Sequence, residues 1–433
     1  MPRPDIRDSP ENLSVNIDGG PMNDQFVNAT KEEEVKNDFQ SARDLEFGYA
    51  HTLLKGNIGT GILAMADAFR NAGLYLGLVC TLCLGAICTH CMHMLIGCEK
   101  ELCERTSVPA LDFAEVAETA FATGPERLRK FSTLVIVCNP RNFLLQEIKY
   151  FFFDIELIWV LILMLVPMIL LNWIKSLKYM MPISLLASIL TTSGLGIIFY
   201  YVLQDLPNTN TVPKVASWGQ LPLYFGTAVY AFEGIGVILP LENSMKSPEH
   251  MRGYVGILNT GMVIVTCLYT AVGFFGYLKY GDAATRGSIT FYMGFVCCCS
   301  ASHVVRLTMA LAIFLSYCLQ FYVPANIIWP QLVSRFAFLQ PEERQYFGEY
   351  IFLLLAVIIP DLSAVISLVG AVSSSTLALI FPPLLEMVTF YEKDFSYRTL
   401  IKDLLIMLFG ICGFLVGSYT SILNILNPPE NAL

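Results

Sequence analysis

Long apolar runs separated by short polar segments dominate the chain. Eleven of these runs have roughly the 20-residue length with which an α-helix crosses the hydrocarbon core of a bilayer. They are residues 48–70, 74–98, 131–150, 156–174, 180–203, 220–241, 254–278, 304–333, 347–361, 363–390 and 400–425. Lipid offers no partner for unpaired backbone groups, and the runs are too long for barrel strands, so we predict helices throughout. The pattern predicts an all-α polytopic membrane protein with about eleven transmembrane helices.

The first 46 residues break this pattern. They are polar, they contain eleven acidic and five basic residues, and they have almost no aromatic side chains. A segment of this composition cannot bury enough apolar surface to offset the entropy of ordering it, so we expect a disordered acidic tail. It also lacks the basic stretch and apolar run of a cleaved signal peptide. We therefore predict a tail at 1–46, a transmembrane domain at 47–425 and a short second tail at 426–433.

The longest connection between predicted spans, residues 99–130, has an amphipathic pattern of its own. Its apolar residues recur at helical spacing, and they are Leu111, Ala114, Val116, Ala117, Ala120 and Phe121. Such spacing places them on one face of a helix. We predict a short helix there, lying at the membrane interface.

Lysine and arginine are distributed unevenly between the two sets of loops. With the N-terminus in the cytosol, the cytosolic segments hold 19 of these residues and the exterior segments hold 5. Cytosolic segments of membrane proteins carry the excess of positive charge. We predict a cytosolic N-terminus, an odd number of helices, and a C-terminus on the exterior or lumenal side.

The composition supports a membrane protein and disfavours other classes. Only 15% of the residues are charged, against about 25% in soluble proteins. The net charge of −9 comes mostly from the tail, so it indicates no nucleic-acid partner. Cys80, Cys83, Cys88 and Cys91 have metal-like spacing, but within an apolar run cysteine is usually a small hydrophobic residue. No nucleophile–base pair or metal motif stands out, so we expect no enzyme activity, no metal site and no cofactor.

Glycines interrupt the first predicted span at Gly56, Gly59 and Gly61. Each costs a helix about 1 kcal/mol relative to alanine. Non-helical backbone at mid-membrane is tolerated only where protein buries it or where it lines a cavity. A helix that restarts near Thr60 and Gly61 would offer free N–H groups and partial positive charge to a carboxylate. Spacing alone leaves an equal alternative, in which the glycines only allow close helix packing.

A second interruption is predicted in the sixth span, at Glu233-Gly234-Ile235-Gly236. A glutamate at mid-span is costly unless it is paired, solvated or protonated, and the two glycines weaken the helix beside it. Glu233 either carries a proton or caps freed backbone amides, and the sequence supports both interpretations equally. Interrupted helices five spans apart are typical of inverted-repeat secondary transporters with a mid-membrane site.

Four segments make the chain recognisable. They are HTLLKGNIGTGILAM from His51, FGTAVYAFEGIGVILPLENSMKSP from Phe225, LQFYVPANI from Leu319 and LVGAVSSSTLALIFPPLLE from Leu368. These segments resemble the proton-coupled amino acid transporters of the amino acid/auxin permease family, most closely its insect, pathetic-like members. The resemblance covers roughly residues 45–425.

The resemblance implies a LeuT-like fold of eleven helices, in which helices one to five and six to ten are inverted repeats and helices one and six are broken. It implies symport of small neutral amino acids with protons at the plasma membrane or the lysosomal membrane. The residues that it assigns are, for the substrate carboxylate, Gly59, Thr60 and Gly61; for the amino group, Gly56, Asn57 and Phe232; for other substrate contacts, Gly234 and Ile235; and for proton coupling, His51 and Glu233.

Three positions depart from the family pattern. The family histidine of helix one corresponds to Thr52, and a shift to His51 turns the side chain about 100° around a helix. Ala66 stands where the family tends to have proline, so an expected kink is missing. Pro140 and Arg141 interrupt the third predicted span. These departures leave the substrate residues in place and affect the proton residues and the third span.

Together these patterns predict a secondary active transporter that moves an amino acid with a proton by alternating access. Two alternatives stay open. One is a non-transporting amino-acid sensor or scaffold on the lysosomal membrane, which would bind signalling partners through the acidic tail. The other is a sodium-coupled amino acid transporter.

Overall fold

A computed structural model describes residues 48–59, 61–125, 177–245, 248–253, 255–281, 307–315, 362–391 and 396–426. The chain divides into Met1–Tyr49 and Ala50–Leu433, and all described residues except Gly48 and Tyr49 belong to the second unit. Every regular element within the described ranges is a helix. The all-helical prediction is therefore confirmed for this part of the chain.

Twelve α-helices lie within the described ranges. In chain order they are α1 (48–57), α2 (Gly61–Ala72), α3 (Leu74–Thr106), α4 (Phe113–Thr123), α5 (Leu177–Val202), α6 (Leu221–Ala231), α7 (Ile235–Ser244), α8 (Ile257–Tyr280), α9 (307–315), α10 (Leu362–Val369), α11 (Phe381–Thr389) and α12 (Tyr397–Leu426). Short 3₁₀ turns occur at Thr209–Thr211 and Pro248–Met251, and two π-helical segments, Gly370–Ser374 and Thr376–Ile380, join α10 to α11.

Six stretches in the described part are long and apolar enough to cross a bilayer. They are Leu74–Thr106, Leu185–Val202, Leu221–Ser244, Ile257–Tyr280, Ile366–Thr389 and Tyr397–Leu426. Each coincides with a predicted span. The predicted spans at 131–150, 156–174 and 347–361 lie outside the described residues, as do most of 304–333 and the Pro140–Arg141 interruption.

One helix end differs from the prediction. The apolar run at 74–98 predicts a helix that stops near Cys98, but α3 continues to Thr106. Its last turns are polar residues of good helix propensity, and Arg105 donates to Glu101 one turn earlier at 3.3 Å. Ser107 then ends the helix in a left-handed conformation, with φ 56°, and its N–H donates to the Cys103 carbonyl. Hydropathy detects only where the apolar surface ends, so it places this boundary too early.

The amphipathic helix predicted in the connection after α3 is present as α4. Val116, Ala117 and Ala120 are fully buried on one face, and α4 packs against α3 and α11. At its start the Asp112 N–H donates to the Glu115 carboxylate at 3.0 Å, which satisfies one of the amides that a helix N-terminus leaves without a partner. Burial and the neighbouring Glu115 raise the pKa of Asp112.

The interior of the described part is built around α2. Eleven of its twelve residues are buried, and it packs against α6 and α8. Phe69 fits between two glycines of neighbouring helices, because a Cβ on Gly77 of α3 would lie 2.9 Å from its ring and one on Gly273 of α8 would overlap it. Small residues of this kind let membrane helices approach closely. The helix that follows the first interruption is thus almost fully enclosed by its described neighbours.

By contrast, α12 lies at the periphery. Only 17% of its most apolar window is buried, and its outer face exposes large apolar side chains, among them Leu405, Leu408 and Leu415. Its buried face consists of small or polar residues, namely Asp403, Gly410, Gly417 and Ser421. An exposed apolar face of this extent is what a lipid-facing helix presents.

Candidate functional site

The interruption predicted in the first span is present. Helix α1 ends at Asn57 and α2 begins at Gly61. The Ile58 N–H still donates to the Leu54 carbonyl at 2.6 Å, but the Gly59 N–H turns back to the Asn57 carbonyl at 2.9 Å. The ladder of helical hydrogen bonds is therefore broken after Ile58, and α2 starts with the unpartnered first-turn amides of any helix. Thr60 itself lies outside the described residues.

The second predicted interruption is also present. Helix α6 ends at Ala231 and α7 begins at Ile235. Between them the Gly234 N–H donates to the Phe232 carbonyl at 2.9 Å instead of continuing the helical ladder. Phe232 is fully buried, and Glu233 is half-buried within the turn. Glu233 and Gly234, which the sequence predicts at a helix break, therefore lie in the break between α6 and α7.

The two interruptions lie directly against each other. A Cβ on Gly61 would be 2.6 Å from the Ala231 Cα, and a Cβ on Gly234 would overlap the side-chain amide of Asn57. One residue before Asn57, a Cβ on Gly56 would lie 3.2 Å from the Val237 side chain of α7. Gly61 and Gly234 thus adjoin the breaks and also allow the two backbones to approach, so packing does not replace the interruptions.

A tyrosine from a third helix joins the two breaks. The hydroxyl of Tyr269, on α8, donates to the Asn57 carbonyl and, at 2.8 Å, to the Ala231 carbonyl. Its side chain is fully buried, and its ring stands edge-on to Phe232 with centroids 5.1 Å apart. Sequence reasoning missed this residue, since it lies in an uninterrupted apolar run. The available signal was a tyrosine at mid-span, whose hydroxyl needs a polar partner when buried.

Asn57 contributes a second set of polar atoms. Its side-chain amide donates to the Leu53 carbonyl at 2.9 Å. Its Oδ1 is enclosed by protein and has no hydrogen-bond partner among the described residues. Buried acceptors without a donor are rare in native proteins and call for an explanation. The Asn57 Oδ1 atom is therefore a buried acceptor without a donor among the described residues, at the contact between the breaks.

The electrostatics of the four half-helices follow from their directions. Helices α1 and α6 bring their C-terminal, partly negative ends to the contact, whereas α2 and α7 begin there with partly positive N-termini. The arrangement can receive an anion at one side and a cationic group at the other. His51, in contrast, lies on α1 six residues before Asn57 and is half-buried. The structure thus places Glu233 in the second break and His51 well before the first.

The far end of α7 is held by charged groups. Arg252, in the connection to α8, donates to the Glu242 carboxylate at 3.3 Å and to the Ile96 carbonyl of α3 at 2.7 Å. Asn243 donates to the Leu111 carbonyl at 3.1 Å. These bonds connect α7 to α3 and to the segment before α4. We refer to Glu242, Asn243 and Arg252 as the α7 anchor.

Comparison with known proteins identifies the family. Residues 49–425 match the family described as transmembrane amino acid transporter protein. The chain belongs to this family. Membership agrees with the resemblance inferred from the four sequence segments, makes the chain an integral membrane protein, and implies a transporter rather than an enzyme.

Two relatives show how far the likeness extends. The chain is 36% identical over 411 residues to the Drosophila melanogaster protein named proton-coupled amino acid transporter-like protein pathetic, in a match that covers 88% of this family member and 85% of the relative. It is 26% identical over 408 residues to the Caenorhabditis elegans probable amino acid transporter skat-1, covering 86% and 88%. Both matches therefore cover most of this chain and most of each relative.

Proposed function

We propose that this family member is a secondary active transporter that moves small neutral amino acids together with protons by alternating access. The observation that carries the proposal is the direct contact between two helix interruptions, with Gly61 against Ala231 and Gly234 against the Asn57 amide. Broken helices that meet at mid-membrane bind substrates through their exposed backbone groups. The proposal includes eleven helices in a LeuT-like fold, of which α1–α2 form the first and α6–α7 the sixth.

In this proposal the substrate carboxylate binds at the start of α2, to the N–H groups of Gly59, Thr60 and Gly61. The site suits an anion because a helix N-terminus offers both free donors and partial positive charge. No charged side chain is needed there, and the described residues of the break itself, Ile58 and Gly59, are uncharged.

The substrate amino group binds on the opposite side, at acceptors contributed by Gly56, Asn57 and Phe232. The Asn57 carbonyl already accepts from the Gly59 N–H and from Tyr269, so both of its lone pairs are in use. We therefore assign the Asn57 contribution to its Oδ1, which lacks a partner among the described residues. Gly234 and Ile235 complete the site on the second interruption.

Selection of small, neutral side chains is supported by what surrounds the contact. Phe232 and Ile235 have exposed fractions of 2% or less, and neither Gly61 nor Gly234 has room for a methyl group. A substrate site bounded by these residues would have little space for a long side chain and, apart from Glu233, no charge among the described residues of the two breaks to pair with one.

Proton coupling is proposed for Glu233 and His51. A carboxyl in a helix break can change its protonation as the surroundings open and close, and the printed name of the Drosophila relative describes a proton-coupled transporter. The shifted His51 is the weaker candidate of the two. We also propose the cytosolic orientation of the 1–46 tail, the 47–425 transmembrane domain, and residence in the plasma membrane or the lysosomal membrane.

The experiment is uptake of labelled alanine, glycine and proline by the purified full chain in proteoliposomes, at acidic and at neutral outside pH. We expect uptake that rises with outside acidity and an inward current that accompanies it. The Gly61→Leu variant serves as the control, since it fills the contact between the breaks. Absence of uptake and current from correctly inserted protein would contradict the proposal.

Two alternatives are separated in the same preparation. The shifted His51 and the Pro140–Arg141 interruption favour a sensor or scaffold, which would bind amino acid without flux and would retain signalling partners through residues 1–46. Sodium coupling would appear as loss of uptake when choline replaces sodium at fixed pH. Uptake that survives this replacement and follows outside acidity supports the proton-coupled transporter over both.

A further inference from the structure

Two carbonyl groups from separate parts of the chain converge on one hydroxyl. The Asn57 carbonyl lies at the C-terminal end of α1 and the Ala231 carbonyl at that of α6, and Tyr269 donates to both. Neither carbonyl is in a position to receive a helical hydrogen bond from four residues ahead, because each helix stops there. The hydroxyl thus supplies a donor to the Ala231 carbonyl and a further donor to the Asn57 carbonyl, which also accepts from the Gly59 N–H.

Convergence of two helix C-termini creates a need for positive charge. Each end carries partial negative charge, equivalent to roughly half an elementary charge, and both are buried away from water. In membrane transporters, unwound carbonyls and half-helix C-terminal ends are the groups that coordinate a sodium ion. Because the two carbonyl oxygens carry no formal charge, an ion between them would be a small monovalent cation such as sodium rather than a divalent one.

Here the position between the carbonyls is filled from within the protein. We propose that the Tyr269 hydroxyl takes the place of a monovalent cation between the two interruptions, so that their closed contact requires no metal ion there. The proposal rests on the proposed transport function and deepens it, because it assigns the residue that makes sodium unnecessary at this position. Tyr269 acts as a positioning residue: it holds the carbonyls together and need not touch the substrate.

The surroundings of Tyr269 fit this role. The ring is fixed edge-on by Phe232, itself part of the second interruption, and the side chain is fully enclosed. A rigid, buried ring delivers its hydroxyl to one place with little loss of conformational freedom. The hydroxyl shares its one proton between the two carbonyl oxygens. It therefore bridges the two helix ends without adding a formal charge.

The first test replaces Tyr269 and varies the cation. Wild type, Tyr269→Asn and Tyr269→Phe are compared for uptake at one fixed pH in sodium, lithium, potassium and choline media. We expect wild type to be indifferent to the replacement of sodium by choline. Tyr269→Asn opens space between the carbonyls, so its uptake in choline falls about tenfold and is restored by sodium or lithium. Tyr269→Phe stays low in every medium, since its ring fills the space without offering a donor.

A second measurement needs no transport. The melting temperature of each purified full-length variant is followed while sodium or lithium is added, because a cation that binds only the folded state raises it. Tyr269→Asn is expected to gain such a response, and wild type to lack it. The matched control is Tyr277→Asn, which replaces another fully buried tyrosine of α8 and should lose stability without gaining any response to cations.

The outcomes separate this inference from the proposed function. Tyr269→Asn with full activity in choline, or with no cation response in its melting temperature, would overturn the role of Tyr269. A wild-type melting temperature that rises with sodium, in a chain whose uptake requires sodium, would overturn it as well. Wild type that moves no amino acid in any medium would contradict the transport proposal, and the melting experiment would still decide whether Tyr269 replaces a cation.

Discussion

The two ends of helix α7 are held by different kinds of interaction. Its N-terminal end meets the first interruption through neutral groups, with Gly234 against the Asn57 amide. Its C-terminal end is held by the α7 anchor, in which Arg252 pairs with Glu242 at 3.3 Å and also binds the Ile96 carbonyl. The ten residues of α7 are therefore held at one end by uncharged backbone and amide groups and at the other end by an ion pair.

The difference reflects the cost of charge at different depths. An ion pair at mid-membrane must overcome the desolvation of both partners, so neutral backbone groups are the less costly way to join two helices there. Near a helix end, a long arginine can keep part of its head in water, and the Arg252 side chain is 32% exposed while Glu242 is 6% exposed. The neutral end is also the end at which backbone groups are free to bind a ligand.

The largest effect is expected from closing the neutral contact. In Gly61→Ala the new methyl would lie 2.6 Å from the Ala231 Cα, which is backbone and cannot rotate away. Overpacking of this kind costs about 1–3 kcal/mol or more, and we expect a lower melting temperature together with nearly complete loss of uptake. The control is Gly97→Ala on α3, where the new methyl would have no atom within 4 Å beyond its chain neighbours and its own helix backbone. Equal behaviour of the two variants would show that close approach at Gly61 is dispensable.

A smaller effect is expected from breaking the charged contact. Arg252→Ala leaves the Glu242 carboxylate buried without its partner and removes the donor to the Ile96 carbonyl, so we expect a loss of about 1–3 kcal/mol in stability. Uptake should fall less than in Gly61→Ala, because the interruptions remain intact. A double-mutant cycle with Glu242→Gln, read out by melting temperature, measures the coupling. A coupling energy near zero would mean that the ion pair contributes nothing and that the Ile96 bond alone holds the anchor.

The smallest effect is expected from the remaining member of the α7 anchor. Asn243→Ala removes a single hydrogen bond to the Leu111 carbonyl, at 3.1 Å, and should cost about 0.5–1.5 kcal/mol. We expect unchanged uptake and a small decrease in melting temperature. Uptake reduced to the level of Gly61→Ala would instead mean that the neutral end of α7 depends on how its charged end is fixed.

The sequence was most informative at the positions where glycines disfavour a continuous helix. Glycines at Gly59 and Gly61, and again at Gly234, marked the two interruptions, because backbone that disfavours helix is a local property. The apolar runs likewise located the six described spans. Family motifs added the residues of the proposed site, and the described ones lie at the breaks or, in the case of His51, earlier on α1.

The contacts that could not be predicted join residues far apart in the sequence. Tyr269 is 212 residues from Asn57, and nothing in the sequence around either residue indicates their meeting. The glycine pattern at Gly61 could not distinguish packing from interruption, since the partner that decides it, Ala231, comes from another helix. The polar end of α3 was missed for another reason: hydropathy reports contact with lipid, whereas helix propensity and the Arg105–Glu101 bond continue the helix beyond the apolar run.

The two π-helical segments between α10 and α11 determine which side of α11 faces α3. The backbone runs in π-helical geometry at Gly370–Ser374 and at Thr376–Ile380, and the hydroxyl of Ser375 between them follows the same spacing when it donates to the Gly370 carbonyl. A π turn holds an extra residue relative to an α turn, so it shifts the phase of everything that follows. Deleting one residue there would rotate α11 by about 100° and would turn a different side of it towards α3. The face that α11 presents is therefore set by a local change in winding rather than by its own sequence.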